Sequence, residues 1–171
     1  DRTSRGLGDV YKRQTLFVDT INEKTTNNGV YIPGHVIQVA QGTTTTQTSA
    51  TGSTYVDTTL TASITPTSSS SKILIVASQQ MSSNNGSSAG SWQIIFRLMR
   101  GSTEIYESQR SPWLYNQIGI GGVNSISYLD SPATSSSVTY KTQAKNGSGS
   151  GNMTAQMGSS LSSMVLMEIA Q

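Results

Sequence analysis

The sequence predicts an all-β fold, an antiparallel sandwich or barrel of about ten short strands behind a short N-terminal neck. Three observations carry this expectation. No window sustains a helical period of apolar residues, and none strings good helix formers together. Apolar residues alternate or fall in short runs, and Gly, Pro, Asn and Ser punctuate them at regular intervals. Ser and Thr make up roughly 30% of the 171 residues while charged residues are only 12%, against about 25% charged in an average domain. Branched Thr suits strands, and Ser suits turns.

Taken in order, strands are expected near residues 35–41, 44–49, 54–65, 72–80, 92–100, 103–109, 123–130, 137–145, 153–157 and 161–170. The turns between them are read from Gly42, Thr51-Gly52-Ser53, Pro66 to Ser71, Ser82 to Gly90, Gly101-Ser102, Gly119 to Gly122, Ser131-Pro132 and Asn146 to Asn152. Strict alternation puts Trp92, Ile94, Phe96 and Leu98 on one face and Gln93, Ile95, Arg97 and Met99 on the other. Residues 92–109 then read as a hairpin about Gly101. Lys72 to Ala77 is apolar on both faces, as for a strand covered on both sides. Met164 to Ala170 is apolar on both faces apart from Glu168. Two readings fit that last strand: subunit packing in a closed oligomer supplies its second cover, or it is a central strand of a monomeric sandwich. Methionines 153, 157, 164 and 167 read as core filler.

The chain divides into three parts. Residues 35–171 form the sandwich, and residues 15–34 are too few to bury a core, so they read as a neck. Residues 1–14 are set apart by charge. The pI is about 9.0, yet Arg2, Arg5, Lys12 and Arg13 against Asp1 and Asp9 supply the whole excess, and the other residues hold seven Lys/Arg and seven Asp/Glu. No footprint for phosphates is left outside this arm, so no nucleic-acid partner is expected. Ser4-Arg5-Gly6-Leu7-Gly8-Asp9-Val10-Tyr11-Lys12-Arg13-Gln14 resembles an in-frame translation of a transposase-based sequencing adapter. Such a scar is excluded from fold reasoning. The resemblance implies a metagenomic reading frame truncated at its start, and residues 1–14 are expected to be a disordered arm. A chain beginning at Thr15 is expected to melt at the same temperature as the full chain; a drop of several degrees would show that the arm packs on the fold.

The residues that follow the arm carry a resemblance. Asp19 to Thr25 with Asn28-Gly29-Val30, Gly34 to Val39, Ala62 to Ser68 with Ser71 to Ile75, Leu129 to Thr134 with Thr139-Tyr140-Lys141, and Met164 to Ala170 together resemble, in order and spacing, the C-terminal region of tail-fibre proteins of marine-type bacteriophages. The resemblance spans residues 18–170. It implies a virion structural protein with a jelly-roll-type sandwich similar to complement-globular and tumour-necrosis-factor-like heads, assembled as a homotrimer. It also implies a virion (tail) location, assembly in the host cytoplasm and release by lysis, and partners in upstream fibre or tail proteins and a host-surface glycan or protein receptor.

Catalysis finds little support in the residue types. The chain has no cysteine and one histidine, His35, which leaves out thiol chemistry and makes a transition-metal site an unfavourable reading. A Ser-His-Asp set can be written from His35, Asp57 or Asp130 and the many serines, but no Gly-x-Ser-x-Gly elbow is present. Alternation places Glu104 and Glu107 on opposite faces, a poor acid/base pair. No enzyme activity, cofactor, metal or membrane insertion is therefore expected.

Binding has more to work with. Trp113, Tyr115 and Asn116 lie in a Pro- and Gly-bounded segment, and Asn84 and Asn85 lie in a small polar loop. Flat rings and side-chain amides suit a sugar; equally, the two rings can fill the sandwich or a subunit interface. Val165, Leu166 and Met167 are the candidates for the trimer interface. The leading expectation is a trimeric head for host-surface attachment. The alternative is a secreted bacterial carbohydrate-binding or adhesin domain, which a monomer in solution would favour.

Overall fold

The computed structural model describes residues 33–84, 90–108, 113–117, 119–147 and 151–171, with the side chains of 84, 90–92, 113–117, 119 and 120 outside the description. The expected arm and most of the neck lie outside the described residues. The domain is the compact unit Ile32–Gln171.

Eleven strands are described: β1 (Val36–Thr44), β2 (Thr48–Thr51), β3 (Val56–Ile64), β4 (Lys72–Asn84), β5 (Gly90–Arg100), β6 (Thr103–Glu107), β7 (Trp113–Gln117), β8 (Gly119–Asp130), β9 (Val138–Asn146), β10 (Asn152–Ala155) and β11 (Ser162–Ile169). They form two antiparallel sheets. In the six-stranded sheet, β8 pairs one side of β4, β11 and β10 share its other side, and β1 and β2 follow. The five-stranded sheet runs β3-β9-β5-β6, with β7 also on β5. Taking β1/β2, β6/β7 and β10/β11 as broken single strands, the first pairs the last, the second the seventh, the third the sixth and the fourth the fifth. That nested order is a jelly roll, two Greek keys wrapped into a sandwich.

Alternation decides what each strand buries. Leu60, Ala62 and Ile64 of β3 face Ile73, Ile75 and Ala77 of β4 across the interior, joined by Ile94, Phe96 and Leu98, by Val138, Tyr140 and Ala144, and by Met164 and Leu166. Burying such a side chain stabilises the fold by about 1.5–3 kcal/mol each. The upper interior is polar instead. Thr58 and Thr142 hydroxyls meet at 2.6 Å, and Thr142 donates to Gln79 Oε1 at 2.9 Å. The buried Gln156 amide, oriented to satisfy both ends, accepts from Gln79 Nε2 at 2.6 Å and donates to the carbonyls of Thr46 and Thr58 at 3.1 Å. A connected polar seam of this kind is tolerated inside because its members satisfy one another.

Several expectations change. Gly42 is not a turn; it lies inside β1, against the backbone of β3, where a Cβ would sit 1.8 Å from the Thr61 carbonyl oxygen. Opposite it, β3 bulges between Asp57 and Thr61, and Thr59 takes φ 63°, a left-handed conformation whose cost is met by hydroxyl hydrogen bonds to Thr44 and the Thr46 carbonyl. Gly119 to Gly122 is likewise strand, paired with Met81 to Asn84. Trp113–Gln117, a segment outside the ten strands expected from sequence, is β7. Glu104 and Glu107 do not lie on opposite faces. A register shift between Leu98 and Met99 returns both to the outer face around Arg97.

Candidate functional site

The jelly roll sorts its connections to two poles. At one, Gly34 N–H donates to the Ala170 carbonyl at 2.8 Å and Ala170 N–H to the His35 carbonyl at 3.0 Å. The chain therefore enters and leaves the sandwich at this proximal pole. Two buried carboxylates lock it. Glu168 accepts from Gln38 Nε2 at 2.6 Å, Thr67 N–H at 2.8 Å and the Thr67 hydroxyl at 2.7 Å. Burial alone would raise the Glu168 carboxyl, but the hydrogen bonds from Gln38, Ser71 and Thr67 outweigh it and hold it below the usual carboxylate range. Asp130 takes both carboxylate contacts from Arg100, at 2.9 and 3.0 Å, and the Tyr140 hydroxyl at 2.7 Å. Burial, then that bond to Asp130, pushes the Tyr140 hydroxyl far up.

The opposite, distal pole collects the predicted binding residues. Asn84 ends β4, with its backbone between Gly119 of β8 and Asn152 of β10. Trp113, Tyr115 and Asn116 lie on β7, whose register on β5 pairs Gln117 with Gly90 and Leu114 with Trp92. Register thus brings the β7 segment and the end of β4 to the same pole from distant parts of the sequence. Asn85 lies outside the described residues, as do the side chains of the other four.

A second cluster had no sequence signal. Tyr55, between β2 and β3, has the Arg97 guanidinium 3.9 Å and the Lys145 ammonium 4.2 Å from its ring centroid, and its hydroxyl donates to Glu107. Burial, then the bond to Glu107, pushes that hydroxyl far up. Arg97 also bonds Gln143 at 2.8 Å and Glu104 at 2.7 Å. Beside it, Gln143 and then Lys141 hold the Asp57 carboxyl below its usual range. These groups are mutually satisfied and half exposed, an arrangement suited to solvating and stiffening the outer face of the five-stranded sheet.

The remaining candidates are dispersed. Leu166 is fully buried between the sheets, whereas Val165 and Met167 lie on the outer face of the six-stranded sheet. Asp57 is on the outer face of the other sheet and Asp130 is inside, so the two acids written with His35 sit apart, each in its own ion pair. Among the described residues there is no group of three metal-ligating side chains, and no helix is long and apolar enough to cross a membrane.

Sheet order and core define an all-β jelly-roll sandwich. Comparison with known proteins adds no family: no family model matches the chain, and no curated protein does. Among solved structures the chain is similar to one in the structure of infectious bursal disease virus Gt strain, at 9% identity and a TM-score of 0.35, over 80% of this chain and 39% of that one.

Proposed function

We propose that this domain is the C-terminal head of a phage tail fibre, a virion structural protein that attaches to a host-surface glycan or protein through its distal pole. The separation of the poles supports this reading. The strands that bring the chain in and take it out are hydrogen-bonded together at the proximal pole, which lets an upstream shaft join there without obstructing the other end. The distal pole gathers strand ends and connections, the positions at which sandwich domains carry binding residues on a rigid frame. Each head needs only a weak site, because several heads on one particle multiply the attachment. On this reading the protein is assembled with its tail in the host cytoplasm and leaves by lysis.

Binding of the labelled protein to a panel of bacterial surface polysaccharides and whole cells tests it. Retention by at least one panel member is expected. Replacing Trp113 and Tyr115 by Ala is expected to cut that retention by about tenfold or more, as for aromatic anchors of an interface, with the circular dichroism unchanged. Absence of binding across the panel, or binding untouched by the double substitution, would refute attachment through these residues.

A further inference from the structure

The chain has six methionines and no cysteine. Thioethers are therefore its only sulfur groups, and no thiol competes with them for a two-electron oxidant. Met81, Met153 and Met164 are fully buried, Met99 is buried, and Met167 is half-buried on the outer face of the six-stranded sheet. Met157 differs. It is 49% exposed and does not fill the core as its sequence suggests. The turn between β10 and β11 is the reason. β10 pairs Met81 to Asn84 and β11 pairs Lys72 to Ser78, both along the same side of β4. Residues 156–161 leave the sheet between them. Gln156, Gly158 and Ser159 take φ 53°, 65° and 59°, which bends the chain sharply and carries Met157 out beside Gln80 and Ser82.

We propose that Met157 is a site of reversible oxidation, taking one oxygen from a peroxide to become methionine sulfoxide. A lone pair on its sulfur attacks one peroxide oxygen as the O–O bond breaks and an S–O bond forms. The proton on the attacked oxygen passes to the departing hydroxide, which leaves as water. Sulfur is oxidised by two electrons and the peroxide is reduced by two. The surroundings suit this product. The thioether is held in place, because Met157 N–H donates to Gln80 Oε1 at 2.8 Å and its carbonyl accepts from the Ser160 hydroxyl at 2.7 Å. The Ser82 hydroxyl lies 3.5 Å from Met157 Sδ and 3.5 Å from the Thr154 carbonyl. A thioether sulfur is a weak acceptor. A sulfoxide oxygen is a strong one, and the Ser82 hydroxyl stands ready to serve it.

Position also decides the consequence. The same oxygen on Met81, Met153 or Met164 would be a polar group forced into the apolar interior. On Met157 it stands at the surface, so the sandwich tolerates it, and a sulfoxide reductase can reach it and restore the thioether. This inference is independent of what the distal pole binds.

Timed exposure of the full chain to hydrogen peroxide, followed by intact mass and peptide mapping, tests the inference. The first oxygen is expected on Met157, about tenfold or more faster than on Met81, Met153 or Met164, in line with their exposure. Strand content by circular dichroism is expected to be unchanged at one oxygen. Methionine sulfoxide reductases of both epimer specificities are expected to return the parent mass. Met157→Leu is expected to lack the fast uptake. Ser82→Ala is expected to keep it but to lose more melting temperature on oxidation than the parent does, because the new oxygen has lost its donor. A first oxygen on any other residue, or uptake by Met157→Leu at the parent rate, overturns the inference. So does strand content lost with the first oxygen, or a mass that the reductases leave raised. Equal melting shifts in Ser82→Ala and parent remove Ser82 from the site.

Discussion

Replacing Glu168 by Ala is expected to lower the stability of the domain by about 3 kcal/mol, roughly ten degrees in melting temperature at a domain of this size. Glu168 is fully buried, and its carboxylate is the acceptor for the Gln38 amide and for two donors on Thr67. Truncation leaves those donors without their partner and adds a cavity. The loop before β4 would lose its tie to β11. Glu168→Gln fills the volume but turns an amide N–H donor toward other donors, so an intermediate loss is expected.

The same carboxylate makes stability depend on pH. Its folded pKa lies below the ordinary value of 4.5. Its contribution is therefore complete above the unfolded pKa and is lost as pH falls through the depressed folded pKa. Melting curves from pH 7 downward should hold nearly level to about the unfolded carboxylate range and then fall. The Glu168→Gln protein should lose less over the same acid range. Equal acid losses in parent and variant would contradict an ionised Glu168 in the fold.

Gly42→Ala is expected to destabilise by more than about 3 kcal/mol, beyond the usual cost of overpacking. The added Cβ would lie 1.8 Å from the Thr61 carbonyl oxygen, 2.8 Å from its carbonyl carbon and 3.1 Å from the Ala62 Cβ. Two of these atoms are backbone and cannot rotate away. To admit the methyl group, β1 must move from β3 at the seam where the two sheets meet. Gly122→Ala is the matched control, because nothing lies within 4 Å of its Cβ position and alanine restricts the unfolded chain more. A Gly42→Ala protein that melts with the parent would contradict the close approach.

By itself, the sequence determined the class of fold and most of its inward faces. Period-two alternation is a local property, so Leu60, Ala62 and Ile64, or Ile94, Phe96 and Leu98, could be assigned to one side without knowing what they meet. It also showed that Met164 to Ala170 is apolar on both sides, though not which side faces its own core. The tertiary structure decided that, burying Leu166 and leaving Val165 and Met167 on the outer face. It also decided the pairing order of the jelly roll. A glycine reads alike at a turn and at a close approach, so Gly42 needed the neighbouring β3 to be understood. The donors to Glu168 come from 101 and 130 residues away, and the cations over Tyr55 from separate strands. Such partners leave no periodic trace, because their proximity is set by strand order across the sandwich and not by neighbours along the chain.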